Sequence, residues 1–232
     1  MNDGEIDDTL ERAARAPHEV DPALLDRIAA SVRSSLRPVR PLPPAWVLSG
    51  GLVSICAAVA LAGAARSGFY GFHKMSFGER ALIFPALALF ICLAATACVS
   101  QMIPGSRRRI SPGALLAGGS LALLAVFAVL FHDYHTERFV TQGVVCLSAG
   151  LLHAVAAALV SRLLLRRGFA VNAVTAGLVT GIFAGLAGVT MLELHCPNFE
   201  APHVMLWHTA VIPVSAAAGA LLGRFRRSRV LL

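Results

Sequence analysis

Charged residues are scarce in this sequence. Asp, Glu, Lys and Arg make up 14% of the 232 residues, whereas a typical soluble domain has about 25%. Hydrophobic residues make up 56%, and the mean hydropathy is +0.70. A water-soluble globule of this size could not cover its surface with so few charges. The composition also argues against disordered, collagen-like, disulfide-rich and coiled-coil chains, so we expect an all-α integral membrane protein.

The sequence also lacks the motifs of common catalytic and coupled-transport machineries. It contains no P-loop, no GxSxG and no HExxH motif, and its apolar segments contain almost no acidic residue. Proton-coupled and ion-coupled transporters normally need buried acidic groups. We therefore expect no enzymatic activity.

Six apolar segments are long enough to cross a membrane, for which a helix needs about 17–25 residues. None shows the period-two alternation of a barrel strand, and lipid offers no partner to an unpaired backbone amide, so each should be a helix. The first 43 residues are polar, so we expect no cleaved signal peptide. A tail at residues 1–43 should precede a six-span domain at 44–223 and a basic C-terminus at 224–232. The predicted spans are 46–65, 81–103, 113–131, 142–165, 169–192 and 204–223.

The positions of the basic residues predict the orientation of the spans. Of 20 Lys and Arg residues, 16 lie in the tail, beside the junctions after spans two and four, or after residue 223. The other side has only Arg66, Lys74, Arg80 and Arg138. Because cytoplasmic loops carry the excess of Lys and Arg, we expect both termini in the cytoplasm. The net charge of +7 then reflects topology, and we expect no direct binding of nucleic acid.

The tail carries the pattern of two amphipathic helices, one over residues 3–16 and one starting at Asp21. Asp21 is a good N-cap, and Pro22 suits the first helical position. The tail is too short to bury a core by itself, so we expect the second helix to bind a groove on a protein partner. A leader that binds nothing is the alternative. The apolar face of the second helix consists of Leu24, Leu25, Ile28, Val32 and Leu36.

Two cysteines should lie near the external surface. Cys146 falls about one turn into span four, and Cys196 falls in the short loop between spans five and six. Thiols and imidazoles bind soft and borderline metal ions, and two thiols at one level can instead form a disulfide in an oxidising compartment. The alternative is that the nearby histidines are ordinary polar residues. Candidate metal ligands or polar supports are His153, His195, His203 and His208.

These features resemble the NrsF-like family of six-span bacterial membrane anti-sigma factors, which restrain extracytoplasmic-function sigma factors. The resemblance covers the short leader, the six spans and the string Cys196-Pro197, His203 and Trp207-His208. Cys146 lies fifty residues before Cys196, near the start of span four, as the family's second cysteine does.

The resemblance implies a protein of the bacterial inner membrane. Its tail would hold the sigma factor, and Cys146 and Cys196 would report an external thiol or metal stress. We expect no permanent cofactor, because only two cysteines are available at this surface, and at most a transient metal ion at these external Cys and His residues. Two alternatives are a small haem-binding redox protein using His153 and His208, and a small-solute transporter. GxxxG steps in span five suggest a homodimer.

Overall fold

A computed structural model describes residues 21–35, 42–103, 110–165 and 172–230, together with Glu5, Asp8 and Glu11. The chain forms two compact units, Met1–Pro41 and Leu42–Leu232.

The first unit contains helix α1, Pro22–Ser35. Asp21 caps it as predicted, since its Oδ1 accepts a hydrogen bond from the Ala23 N–H at 2.9 Å. The four described residues of its apolar face, Leu24, Leu25, Ile28 and Val32, are 44–51% exposed. Leu36 and most of the predicted helix over residues 3–16 lie outside the described residues.

In the described part of the second unit every regular element is a helix, and six helices are long and apolar enough to span a membrane. The predicted all-α, six-span class is confirmed. The elements are α2 (Ala45–Ser67), α3 (Tyr70–Lys74), α4 (Phe77–Met102), α5 (Pro112–Leu130), α6 (Phe139–Leu165), α7 (Ala173–His195), α8 (Ala201–His203), a π-helical turn (Val204–His208) and α9 (Thr209–Val230). The sixth span runs from α8 through the π turn into α9.

Local caps move some helix ends away from the predicted positions. Ser76 and Glu79 form a reciprocal capping box, so α4 begins four residues before the predicted residue 81. The Asn172 side chain accepts a hydrogen bond from the Thr175 N–H at 3.1 Å, so α7 begins at Ala173, whereas the predicted start at residue 169 lies outside the described residues. Helix α7 also continues to His195, three residues past the predicted end. This extension places Glu193 inside a span.

Helix α7 forms the centre of the second unit. Within its most apolar stretch 67% is buried, against 22–44% in the other spans. A Cβ added to Gly177 would lie 2.1 Å from the Gly219 carbonyl oxygen of α9, and one added to Gly181 would lie 2.2 Å from the Ser215 carbonyl oxygen. Helices α7 and α9 are therefore in backbone contact, as small residues at helical spacing allow. The GxxxG glycines are used inside the chain, and the homodimer stays a prediction.

Three connections meet at one end of the second unit, which we call the Cys196 end. They are residues 68–76, 131–138 and 196–200. The Ala201 N–H donates to the Asp133 carbonyl oxygen at 2.6 Å, and Lys74 Nζ donates to the Pro197 carbonyl oxygen at 2.9 Å. This is the end that the charge distribution predicts to be external.

Candidate functional site

Cys146, Cys196, His203 and His208 meet at the Cys196 end and are called the Cys/His cluster below. One ligand atom from each side chain lies within 4.8 Å of the other three. The two Sγ atoms are 3.5 Å apart, and Cys196 Sγ lies 3.7 Å from His203 Nε2. The two imidazole rings pack edge to face, with centroids 5.3 Å apart. The structure thus brings together four of the six predicted site residues at this end of the molecule.

The π-helical turn explains how both histidines reach one site. Residues five apart in a regular α-helix point about 140° away from each other. Between His203 and His208 the chain instead winds with the wider i→i+5 repeat of a π-helix. The wider turn returns His208 to the side of the helix on which His203 lies. Sequence periodicity gives no sign of such a turn, so this pairing could not be predicted.

The cluster is buried and its polar groups are not all satisfied. His203 and His208 are 0% exposed and Cys196 is 3% exposed, whereas Cys146 is only partly buried. His203 Nδ1 and His208 Nε2 have no hydrogen-bond partner among the described residues. A buried polar atom without a partner costs about 1–3 kcal/mol. The two unpaired nitrogens therefore lower the stability of the fold if the cluster is only part of the core. Cys146 is the most accessible member of the cluster.

Glu193 is a site residue that sequence analysis missed. Its side chain is fully buried in the last turn of α7, and its Oε1 accepts a hydrogen bond from His208 Nδ1 at 2.6 Å. Because Nδ1 is used in this bond, His208 presents Nε2 to the cluster. One feature of the sequence could have indicated its role: Glu193 is an acidic residue three positions before Cys196, and residues three apart share a helical face. It was overlooked because span five was predicted to end at residue 192, which placed Glu193 in a loop.

The surroundings of Cys196 favour its protonated thiol form. Its hydrogen bond with the Cys146 thiol, together with burial, raises the pKa of Cys196, while His203 and His208 act in the opposite direction. A thiol is a much weaker nucleophile and metal ligand than a thiolate. Reaction at Cys196 therefore requires removal of this proton.

His153 and His195 are not part of the cluster. His195 Nδ1 donates to the Gly68 carbonyl oxygen at 3.0 Å, and the His195 ring packs against Tyr70. His153 Nδ1 donates to the Ala149 carbonyl oxygen of its own helix at 2.8 Å. The other edge of the His153 ring lies against Gly63 of α2, where a Cβ would be 2.3 Å from His153 Nε2. Both histidines are thus engaged in helix packing, and their predicted role as metal ligands has no support in this geometry.

The backbone around Cys196 is braced from two directions. Gly71 of α3 is buried against it so closely that an added Cβ would lie 2.7 Å from the carbonyl oxygens of both Glu193 and Cys196. From the other side, Asn198 Nδ2 donates to Gln142 Oε1 of α6 at 2.8 Å. The Cys196 loop is therefore in direct contact with α3 and α6.

The donor set permits two kinds of chemistry. Two thiolates and two imidazoles suit d10 metal ions, which accept mixed sulfur and nitrogen ligands in tetrahedral geometry. Two adjacent thiols can also be oxidised to a disulfide. The fold and the cluster define a helical protein with six helices able to span a membrane and with two thiols and two imidazoles gathered at one end.

Comparison with known proteins shows the family to which the chain belongs. Residues 33–226 match the NrsF family, described as negative regulator of sigma F. The chain belongs to the NrsF family, as the resemblance implied, and its role at family level is that of an anti-sigma factor with a sigma factor as partner. No curated protein and no solved structure matches the chain significantly. The matched region includes the whole Cys/His cluster and begins after Val32.

Proposed function

We propose that this protein is an inner-membrane anti-sigma factor with both termini in the cytoplasm. It holds an extracytoplasmic-function sigma factor through its N-terminal tail and releases it when an external oxidant or thiol-binding metal reacts at Cys146 and Cys196. The observation that carries the proposal is the Sγ–Sγ distance of 3.5 Å in a chain of this anti-sigma family. The haem alternative gains no support, because His153 packs against Gly63 whereas His208 lies in the cluster.

The tail helix has the properties of a binding segment. Helix α1 is capped by Asp21 and exposes Leu24, Leu25 and Ile28 on one face. A tail that orders on binding must offset the entropy of ordering. About half of each side chain is exposed, so its burial by a partner contributes about 0.75–1.5 kcal/mol toward that cost. Three or four such anchors together contribute about 2–6 kcal/mol.

Oxidation would act on the cluster in a balanced two-electron step. The two thiols lose two protons and two electrons to a peroxide, hydrogen peroxide being reduced to two water molecules, and a Cys146–Cys196 disulfide forms. A disulfide bond is about 2.05 Å long, so the sulfur atoms must approach by about 1.5 Å from their separation of 3.5 Å. This movement pulls the Cys196 loop toward α6.

Helix α7 supplies a route from the cluster to the other side of the membrane. Cys196 is its C-cap, with its N–H bonded to the Leu192 carbonyl oxygen at 2.7 Å. The 23 residues of α7 extend about 34 Å to Asn172 at the opposite end. Because α7 and α9 are in backbone contact at Gly177 and Gly181, a shift at Cys196 moves a rigid pair. Such coupling requires two discrete arrangements of the bundle.

Release of the sigma factor from the full-length protein tests the proposal. Membranes from cells that co-express the protein and its cognate sigma factor are treated with hydrogen peroxide, and the sigma factor is measured in the membrane and soluble fractions. We expect the sigma factor to sediment with untreated membranes and to become soluble after treatment. The Cys92→Ser variant is a matched control, because Cys92 is an exposed cysteine of α4, and it should behave as wild type. Retention of the sigma factor after treatment, with the Cys146–Cys196 disulfide formed, would refute the release mechanism.

A further inference from the structure

Two distances in the Cys/His cluster match those of a tetrahedral metal site. With metal–sulfur bonds of about 2.3 Å and metal–nitrogen bonds of about 2.0–2.1 Å, tetrahedral geometry places two sulfur ligands about 3.8 Å apart and a sulfur and a nitrogen ligand about 3.6 Å apart. The corresponding distances are 3.5 Å for Cys146 Sγ to Cys196 Sγ and 3.7 Å for Cys196 Sγ to His203 Nε2. These two distances lie within about 0.3 Å of the tetrahedral values, and all four ligand atoms lie within 4.8 Å of one another.

We propose that Cys146, Cys196, His203 and His208 bind a divalent d10 cation, Zn²⁺ or Cd²⁺, and that Glu193 is the positioning residue that holds His208 for the ion. This proposal deepens the proposed function by naming a ligand and its full donor set. It adds three residues, two histidines and one glutamate, that disulfide chemistry does not require.

The unpartnered nitrogen of His208 points to a ligand. His208 is 0% exposed, and its Nε2 has no hydrogen-bond partner among the described residues. Its Nδ1 faces Glu193 Oε1 at 2.6 Å, so in the neutral ring Nδ1 donates to the carboxylate and Nε2 carries the lone pair that an ion would take. This carboxylate–histidine arrangement is the usual outer shell of a zinc-bound histidine, where it fixes the tautomer and the ring orientation.

Charge balance selects a divalent ion. Counted over the four ligands, two neutral thiols and M²⁺ become a neutral M(SR)₂ centre with two neutral imidazole ligands, and two protons leave; if His208 is an imidazolium paired with Glu193 before binding, its proton leaves as a third. A monovalent ion would leave one net negative charge on the same donors, which is costly in a buried, low-dielectric site. The partly buried Cys146 is the accessible member of the set and offers the path for ion and protons.

Metal binding by the purified full-length protein tests this site without any sigma factor. The reduced protein in nanodiscs is titrated with Cd²⁺ alone, and the ultraviolet sulfur-to-cadmium charge-transfer band is followed, with Co²⁺ as a second probe whose visible spectrum reports tetrahedral coordination. We expect one ion per chain and a tetrahedral Co²⁺ spectrum. His208→Ala and His203→Ala should each weaken binding strongly, whereas Cys92→Ser and His135→Ala should bind as wild type.

The Glu193→Gln variant distinguishes the positioning of His208 by Glu193 from a role of Glu193 in folding. Gln retains an acceptor for His208 Nδ1 but lacks the charge, so we expect one ion per chain with about 10- to 100-fold weaker affinity, as is typical for outer-shell changes, and unchanged helical circular dichroism. Wild-type affinity in Glu193→Gln would overturn the role of Glu193. Unchanged binding in both histidine variants, or no binding by the reduced wild type, would overturn the four-ligand site. Neither result would alter peroxide-driven release, which tests the proposed function separately.

Discussion

Partner binding by the apolar face of α1 can be tested by replacing two of its apolar residues with acidic ones. Leu25 and Ile28 are 51% and 50% exposed in the free protein, so binding a partner can bury only about half of each side chain. Full burial of such a side chain is worth about 1.5–3 kcal/mol, so the two contribute about 1.5–3 kcal/mol together. That free energy corresponds to a roughly 10- to 150-fold change in Kd. Replacing both with Asp should cost at least this much, because the carboxylates must also lose water.

The assay is the affinity of the full-length protein in nanodiscs for its cognate sigma factor. Leu25→Asp/Ile28→Asp should lower the affinity by at least tenfold, and in cells it should switch on sigma-dependent genes without stress. The matched control is Ala23→Asp/Ala30→Asp, which adds the same two charges on the opposite side of α1, where helical geometry places residues 23 and 30. Wild-type affinity in Leu25→Asp/Ile28→Asp, or an equal loss in the control, would refute the tail-binding hypothesis.

Two further predictions concern packing and topology. Gly181→Ala should lower the free energy of unfolding of the protein in detergent by about 1–3 kcal/mol, because the added Cβ would lie 2.2 Å from the Ser215 carbonyl oxygen and overpack the contact. Gly118→Ala is the control, since nothing lies within 4 Å of its added Cβ. Equal stability of the two variants would contradict the packing of α7 against α9. Reporter fusions at residues 1, 107 and 232 should read as cytoplasmic and those at 72, 135 and 199 as external, and one external terminus would exclude the proposed orientation.

Sequence reasoning succeeded where one physical rule dominates. The spans follow from the length of apolar runs, and the start of α1 follows from the Asp21-Pro22 pair, because lipid burial and N-capping depend on local residues. The approach of Cys146 to Cys196 could be anticipated, since both positions fall at one membrane level. Each of these features is determined by a short segment or by the thickness of the bilayer.

The remaining features of the site depend on tertiary structure. His203 and His208 meet only because a π turn replaces regular α-helix, and no residue pattern in Val204–His208 announces it. Glu193 lies in the last turn of a span because α7 is three residues longer than the sequence predicts. His195, adjacent to Cys196, turns away to the Gly68 carbonyl oxygen. In each case the course of the backbone or a contact with another element decides where the side chain lies, and no short residue pattern reveals it.

The response of a Cys146→Ser/Cys196→Ser variant measures the central claim most directly. Sigma-dependent transcription is recorded in cells that carry wild type, the double variant or Cys92→Ser, before and after exposure to hydrogen peroxide or Cd²⁺. We predict low basal transcription in all three, because the tail is unchanged. Induction should occur in wild type and Cys92→Ser and be absent in the double variant. Normal induction of the double variant by both agents would contradict the account and place the sensor outside the Cys146–Cys196 pair.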